Sequence, residues 1–158
     1  MDYLIRNGEK KDSAAILGLI TELAIYEKEP DAVKTSLADI HRDGFGENNF
    51  FKTIVCELDD KLIGFALYFF TWSTWEGRPS LYLEDLFVLP EYRGKGMGFG
   101  LLKRLAKISL DNSCKRMDWS VLDWNKPAID FYDSIGAKHK KDWFIYRLEG
   151  DALVKFAD

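Results

Sequence analysis

Residues 81–100 read Leu81-Tyr82-Leu83-Glu84-Asp85-Leu86-Phe87-Val88-Leu89-Pro90-Glu91-Tyr92-Arg93-Gly94-Lys95-Gly96-Met97-Gly98-Phe99-Gly100. The apolar run Leu81 to Leu89, broken only by the adjacent carboxylates Glu84 and Asp85, predicts a strand buried on both faces, and polar groups in such a strand need a reason to be there. Alternation along a strand sends neighbouring side chains to opposite faces, so Glu84 and Asp85 are expected to point apart, with only one of them in any given cleft. Beyond Pro90 the closely spaced glycines lead into a helix carrying Leu101, Leu102, Leu105, Ile108 and Ser109 on one side. A strand that passes through such a turn into a helix exposes free backbone N–H groups at a positive dipole end, which suits an anionic phosphate. Arg93 and Lys95 add positive charge. Two nucleotide motifs are excluded by spacing: Lys95 is followed by Gly96 rather than Ser or Thr, and the third glycine of G-x-G-x-x-G comes one residue early. A turn whose glycines merely permit tight packing is the alternative.

Upstream, Asp12 precedes Ile16, Leu17, Ile20, Leu23 and Ala24 at helical spacing and predicts a capped amphipathic helix over 13–27, stopped by Pro30. Ser36 and Asp39 form a capping-box pattern opening a short helix that closes by Gly44. Phe51 to Cys56, a turn at Asp59-Asp60, and Leu62 to Phe70 read as a hairpin, followed by a loop over 72–79. Downstream, the pattern predicts a strand over 117–122, a helix over 127–135 with proline in its first turn and a Gly136-Ala137 stop, and a last strand over 143–148. The expected architecture is a single α+β domain, residues 1–158, built on a mixed central sheet flanked by helices.

The 158 residues are 47% hydrophobic, with 5 Trp, 7 Tyr and 11 Phe, enough to fill a core and too apolar for disorder. The formal charge of −4 argues against bulk binding to nucleic acid or an anionic membrane and favours cationic or neutral small partners. The apolar run 63–70 is too short to span a bilayer, and the charged first ten residues leave no room for a secretory leader, so a cytoplasmic location is expected. Cys56 and Cys114, far apart and without CxxC or neighbouring His, suggest neither a disulfide framework nor a metal site.

The spacing Arg93-x-x-Gly96-x-Gly98 resembles the pyrophosphate-binding signature of the GCN5-related N-acetyltransferase (GNAT) superfamily. Residues 82–94, the run Leu122-Asp123-Trp124-Asn125, Ala128-Ile129-Asp130-Phe131-Tyr132 and Gly136-Ala137 extend the likeness over nearly the whole chain. With Leu23-Ala24, Tyr26-Glu27 and residues 43–46, these resemble the diamine (spermidine/spermine) acetyltransferases. Glu27-Lys28, Val33-Lys34, Ser73-Thr74-Trp75, Gly77-Arg78 and residues 121–125 are most similar to the thialysine Nε-acetyltransferase subgroup.

The resemblance implies a GNAT fold and acetyl transfer from acetyl-CoA to a primary amine by direct transfer in a ternary complex, without a metal. It implies cofactor contacts from the backbone of Leu86, Phe87 and Val88, from Arg93, Gly94, Lys95, Gly96, Met97, Gly98 and Phe99, and from Asn125, Lys126, Pro127 and Ala128. A lysine-like ammonium has a pKa near ~10.4 and must lose a proton before attack. Glu84 is implied as the acceptor of that proton, directly or through water, and Tyr132 as the acid for the departing thiolate. Tyr26, Glu27, Trp75, Asp118, Trp119 and Ser120 are implied with Glu84 as the amine pocket, where aromatic faces and carboxylates suit an ammonium. Asn125 is also placed to cap the helix that follows it. The basic run Lys138-His139-Lys140-Lys141 departs from the acidic residues of the polyamine enzymes and favours a shorter acceptor bearing its own carboxylate, such as thialysine or lysine. A homodimer is implied as well. Two other readings stay open: an acyl-CoA transferase acting on a protein or peptide amine, and a non-catalytic acyl-CoA-binding module.

Overall fold

The computed structural model describes residues 2–158. The chain divides into two compact units, one reaching to Ser120 and the other covering Val121–Asp158.

The first unit is a five-stranded mixed sheet in chain order, β1 (Leu4–Asn7), β2 (Lys52–Leu58), β3 (Lys61–Ser73), β4 (Arg78–Val88) and β5 (Met117–Trp119). The first four strands are antiparallel and β5 joins β4 in parallel. On one face lie α1 (Ser13–Tyr26) and α2 (Leu37–Phe45). Their Ile16, Leu19 and Ile40 pack with Val55, Phe65 and Phe87 of the sheet into a single buried cluster. Ile5 and Cys56, opposite one another in register, belong to the other face. There α3 (Met97–Asp111) buries Met97, Leu101, Leu102, Leu105 and Ser109, and it approaches so closely that a Cβ on Gly100 would lie 2.9 Å from Ile5 Cδ1.

The helix after the glycines and the capping box of Ser36 with Asp39 form as expected, the Ser36 hydroxyl accepting from the Asp39 N–H. The first helix also forms, but Asp12 does not cap it with its side chain. Its carboxylate turns back to accept from the Glu9 N–H and from both terminal nitrogens of Arg6. A half-buried cation outcompetes a single cap bond here because the bidentate pair is charge-assisted.

Three expectations about β3, β4 and β5 are corrected. Half of the segment 72–79 is strand: β3 and β4 run on to pair through Ser73 and Arg78, leaving a turn of four residues. The strand around 117 ends at Trp119 rather than 122, because its parallel pairing with β4 covers only Leu81–Leu83. The run 81–89 is not covered on both faces throughout, since Leu81, Leu83, Phe87 and Val88 are buried while Glu84 is exposed. The short β1, interrupted by Arg6, escapes a periodicity reading altogether.

The second unit holds α4 (Lys126–Ser134), whose first turn carries Pro127 as expected, and α5 (Gly150–Ala157), which sequence reading does not anticipate. The strand expected over 143–148 does not form. A strand exists only by pairing, and among the described residues no ladder includes this segment; Phe144, Ile145 and Tyr146 are 84%, 80% and 93% exposed.

Candidate active site

The centre of the candidate site is an irregularity in β4. Leu67 pairs with Asp85, but the next pair is Tyr68 with Leu83, so Glu84 is an extra residue without an opposite number on β3. Such a bulge breaks the alternation of the strand and re-aims side chains. The expectation that Glu84 and Asp85 point to opposite faces is thereby overturned: both line one cavity of about 490 Å³ beneath α1 and α2, with Ile20, Ile40, Phe51 and Leu67 as its apolar wall. Glu27, the residue that closes α1, is near enough to Asp85 for its charge to be felt there.

These carboxyl groups have no cation of their own. Among the described residues no salt bridge involves Glu27, Glu84 or Asp85. The cations nearby are committed elsewhere: Arg42 donates to Asp39 and Asp43, and Lys34 to the Asp31 carbonyl. Burial, then the negative charges of Glu84 and Glu27, push the Asp85 carboxyl up to about 6. Burial also raises Glu27. An amine entering this cavity as an ammonium would supply the missing positive charge.

The bulge coincides with the place where β5 stops. Leu83 opposite Trp119 is the last parallel pair, so residues 84–88 of β4 have no strand on that side among the described residues. The opening exposes main-chain donors and acceptors of the Glu84–Val88 segment to whatever enters. Phe87 is itself core, with Tyr26 tilted against it at 6.4 Å and the Arg93 guanidinium over both rings at 4.4 and 5.1 Å. Arg93 Nε donates to the Val88 carbonyl at 2.8 Å, tying the end of the strand to the glycine turn. Lys95 stays at the mouth of that turn, its ammonium on the Glu91 carbonyl and over Tyr92.

The glycines of the turn serve different ends. Gly94 and Gly96 have φ of 74° and 84°, left-handed values that glycine adopts without strain. Gly100 is required by packing against Ile5. Gly98 is explained by neither: its φ is ordinary and a Cβ there would meet nothing within 4 Å. That empty space lies over the first turn of α3. Since Gly100 N–H is the first to return to a carbonyl of the turn, at Gly96, the N–H groups of Met97 and Gly98 point out of the helix end as donors. The arrangement fits a pyrophosphate and disfavours the packing-only alternative.

The remaining residues implied as substrate contacts are placed less uniformly. Asp118 stands opposite Tyr82 and pairs with Arg116 at 3.3 Å, and the Ser120 and Tyr82 hydroxyls lie 3.4 Å apart, so Asp118, Trp119 and Ser120 flank the strand opening. Trp75 is elsewhere. It sits at the tip of the β3–β4 hairpin, 83% exposed, and at ~3.4 Å of rise per residue the tip is about 20 Å along β4 from Glu84. In the second unit Asn125 accepts from the Ala128 N–H and caps α4, as expected, while Tyr132 is half-buried beside Phe131 on that helix. Sequence reading offers Asp85 beside Glu84 as a proton acceptor, and the resemblance favours Glu84, leaving Asp85 as a structural carboxylate. Its signal, adjacency to Glu84, was legible, but the bulge that turns adjacency into a shared cavity was not.

The comparisons accord with this geometry. The model of the acetyltransferase (GNAT) family matches residues 18–137. The chain is 42% identical to the thialysine N-epsilon-acetyltransferase of Sus scrofa, over 98% of this chain and 96% of that protein. It is 39% identical to the human spermidine/spermine N(1)-acetyltransferase-like protein 1, covering 99% of this chain but 24% of that longer protein. Among solved structures, an integron cassette protein from the mobile metagenome of V. cholerae superposes with a TM-score of 0.85 at 34% identity, over 99% of this chain and 98% of that one. The chain belongs to the GNAT acetyltransferase family. Its activity is N-acetyl transfer.

Proposed function

We propose that the protein transfers an acetyl group from acetyl-CoA to the primary amine of a small molecule, a thialysine- or lysine-like amino acid or a di- or polyamine, in a ternary complex. The observation that carries this reading is the open edge of β4, which begins at carboxylates without a cation and ends at a glycine turn with empty space above it. A cationic acceptor suits the first end and the pyrophosphate of coenzyme A the second.

In this reading the backbone of Leu86, Phe87 and Val88 aligns the pantetheine arm and supplies an N–H to the thioester oxygen, a preorganised donor of the kind worth about 3 kcal/mol in a transition state. Residues 93–99 hold the pyrophosphate, with Asn125 to Ala128 as further coenzyme contacts. Glu84 draws in the ammonium and serves as proton acceptor, directly or through water. Tyr132 protonates the thiolate as the C–S bond breaks; a phenol keeps its proton at neutral pH until that charge develops. The basic segment Lys138–Lys141 favours an acceptor carrying its own carboxylate over a long polycation.

We further read the protein as a cytoplasmic homodimer. Two observations support the pairing: the exposed apolar residues over 144–146, which a monomer seldom presents together, and the distance of Trp75 from Glu84, which a second copy could bridge. Light scattering at a dimer mass is the expected result.

The test is thiol release from acetyl-CoA with thialysine, lysine, spermidine, spermine, putrescine and a lysine peptide offered in parallel. Thialysine or lysine is expected to be preferred. Preference for the peptide would move the acceptor to protein amines, and release with none of them would overturn the reading. Tyr132→Phe is expected to lower kcat by about 100-fold with the KM for acetyl-CoA little changed, the magnitude of one general acid.

A further inference from the structure

Once the ion pairs in its wall are set aside, the cavity beneath α1 and α2 keeps two ends of opposite charge. Glu84 and Asp85, at the bulge of β4, form the negative end. The other end is the connection from α1 to α2, where Lys34 and Thr35 line the same cavity. Of the two cations in the lining, Arg42 is held by Asp39 and Asp43, carboxylates of its own helix, at 3.0 and 2.7 Å. Lys34 has no such partner. Its ammonium donates to the Asp31 carbonyl at 3.2 Å and, among the described residues, takes part in no salt bridge. A neutral carbonyl uses one of the three donors of an ammonium and leaves its charge unbalanced. Nor does Lys34 pair with Glu84 or Asp85 across the cavity. Thr35, the next residue, adds a hydroxyl donor to the positive end.

We infer that Lys34, with the Thr35 hydroxyl beside it, binds the carboxylate of the acceptor and so selects an amino acid over a diamine, while Glu84 and Asp85 hold the ammonium at the other end. This deepens the proposed function and rests on it. It assigns the carboxylate contact to the cavity itself, whereas the basic run Lys138–Lys141 belongs to the second unit.

The selection works through both signs of charge. The carboxylate of lysine or thialysine gains a charge-assisted hydrogen bond at Lys34. The second ammonium of a diamine of the same length meets an unbalanced positive charge at that place instead. Attraction for one ligand combined with repulsion of its rival discriminates better than either alone. The volume of about 490 Å³ is that of a small-molecule pocket, so one short acceptor can engage both ends.

The experiment compares lysine with cadaverine, which is lysine without its carboxylate, at saturating acetyl-CoA. Wild type is expected to prefer lysine in kcat/KM. Lys34→Met is expected to raise the KM for lysine by about 10-fold, the magnitude of one hydrogen bond to a charged group, with kcat little changed. The same variant should lower the KM for cadaverine. Lys34→Glu is expected to reverse the preference, Lys34→Arg to keep it, and Thr35→Val to weaken it by less than Lys34→Met. A lysine that served only the fold would move both acceptors alike. Equal changes for the two in Lys34→Met, or a wild type that prefers cadaverine, overturns the inference and leaves acetyl transfer to small amines standing. A larger loss of preference when Lys138, Lys140 and Lys141 are changed to Ala overturns it as well. Calorimetric binding of lysine to the protein with coenzyme A needs no turnover, and its Kd is expected to rise about 10-fold in Lys34→Met. An unchanged Kd overturns the inference. Lysine binding that depends on Lys34, with no amine acetylated, would show that the proposed function had failed and the carboxylate contact had not.

Discussion

Two groups of carboxylates stand at the two ends of α1, and they have opposite fates. At its start Asp12 and Glu57 share the Arg6 guanidinium, with contacts of 2.7 and 2.6 Å that join helix to sheet. A depression of about 710 Å³ opens beside them, and Arg6, Asp12 and Glu57 in its lining are paired with one another. At the other end Glu27, Glu84 and Asp85 converge with no such partner. The hydrogen bonds from Arg6 hold the Asp12 carboxyl below the usual range, whereas burial and like charge hold Asp85 above it. Carboxylates that serve the fold are satisfied by the fold, and those that serve a ligand are left for the ligand to satisfy.

The sharpest way to break this contrast is to remove the cation. Arg6→Met should cost about 3–5 kcal/mol in urea unfolding at pH 7, the usual penalty for stranding a largely buried charge. Because the folded Asp12 value is depressed, the stabilisation it gives is present above the unfolded value of about 3.9 and fades as pH falls through the folded one, so the cost should shrink at pH 3. A pH-independent cost would mean that Arg6 matters for packing rather than charge.

At the other end the sign reverses. The folded Asp85 value is raised, so its penalty is absent below about pH 3.9, where the group is protonated in both states, and grows as pH rises through about 6. Asp85→Asn should therefore stabilise the protein by about 3 kcal/mol at pH 8 and by little at pH 4. Destabilisation at pH 8 would place Asp85 with the structural carboxylates.

The smallest expected effects separate two glycines by the same logic of filled and open space. Gly100→Ala forces a Cβ against Ile5 and should destabilise by about 1–3 kcal/mol. Gly98→Ala enters open space within a helix and should leave stability within about 1 kcal/mol, yet raise the KM for acetyl-CoA. Equal effects on KM from both would remove the pyrophosphate role assigned to the open position.

Much of this was legible one segment at a time. The capping box at Ser36, the helix after the glycines and the Asn125 cap depend on spacing within a few residues, and so they formed as read. The segment 143–148 has the pattern of a strand and is not one among the described residues, since pattern supplies a face and pairing supplies the strand. Asp12 has the position of a cap and serves instead as an anion for Arg6, a residue of another element.

The sequence by itself determined the family, the mixed α+β architecture, the glycine turn at the head of a helix and the presence of two adjacent carboxylates, because each is written in local chemistry and spacing. Only the tertiary structure decided that those carboxylates share one cavity, that β5 ends where they begin, and that Gly98 faces open space while Gly100 is packed. A bulge is a mismatch between two strands, and an open space is defined by what surrounds it. Neither is a property of any single stretch of chain.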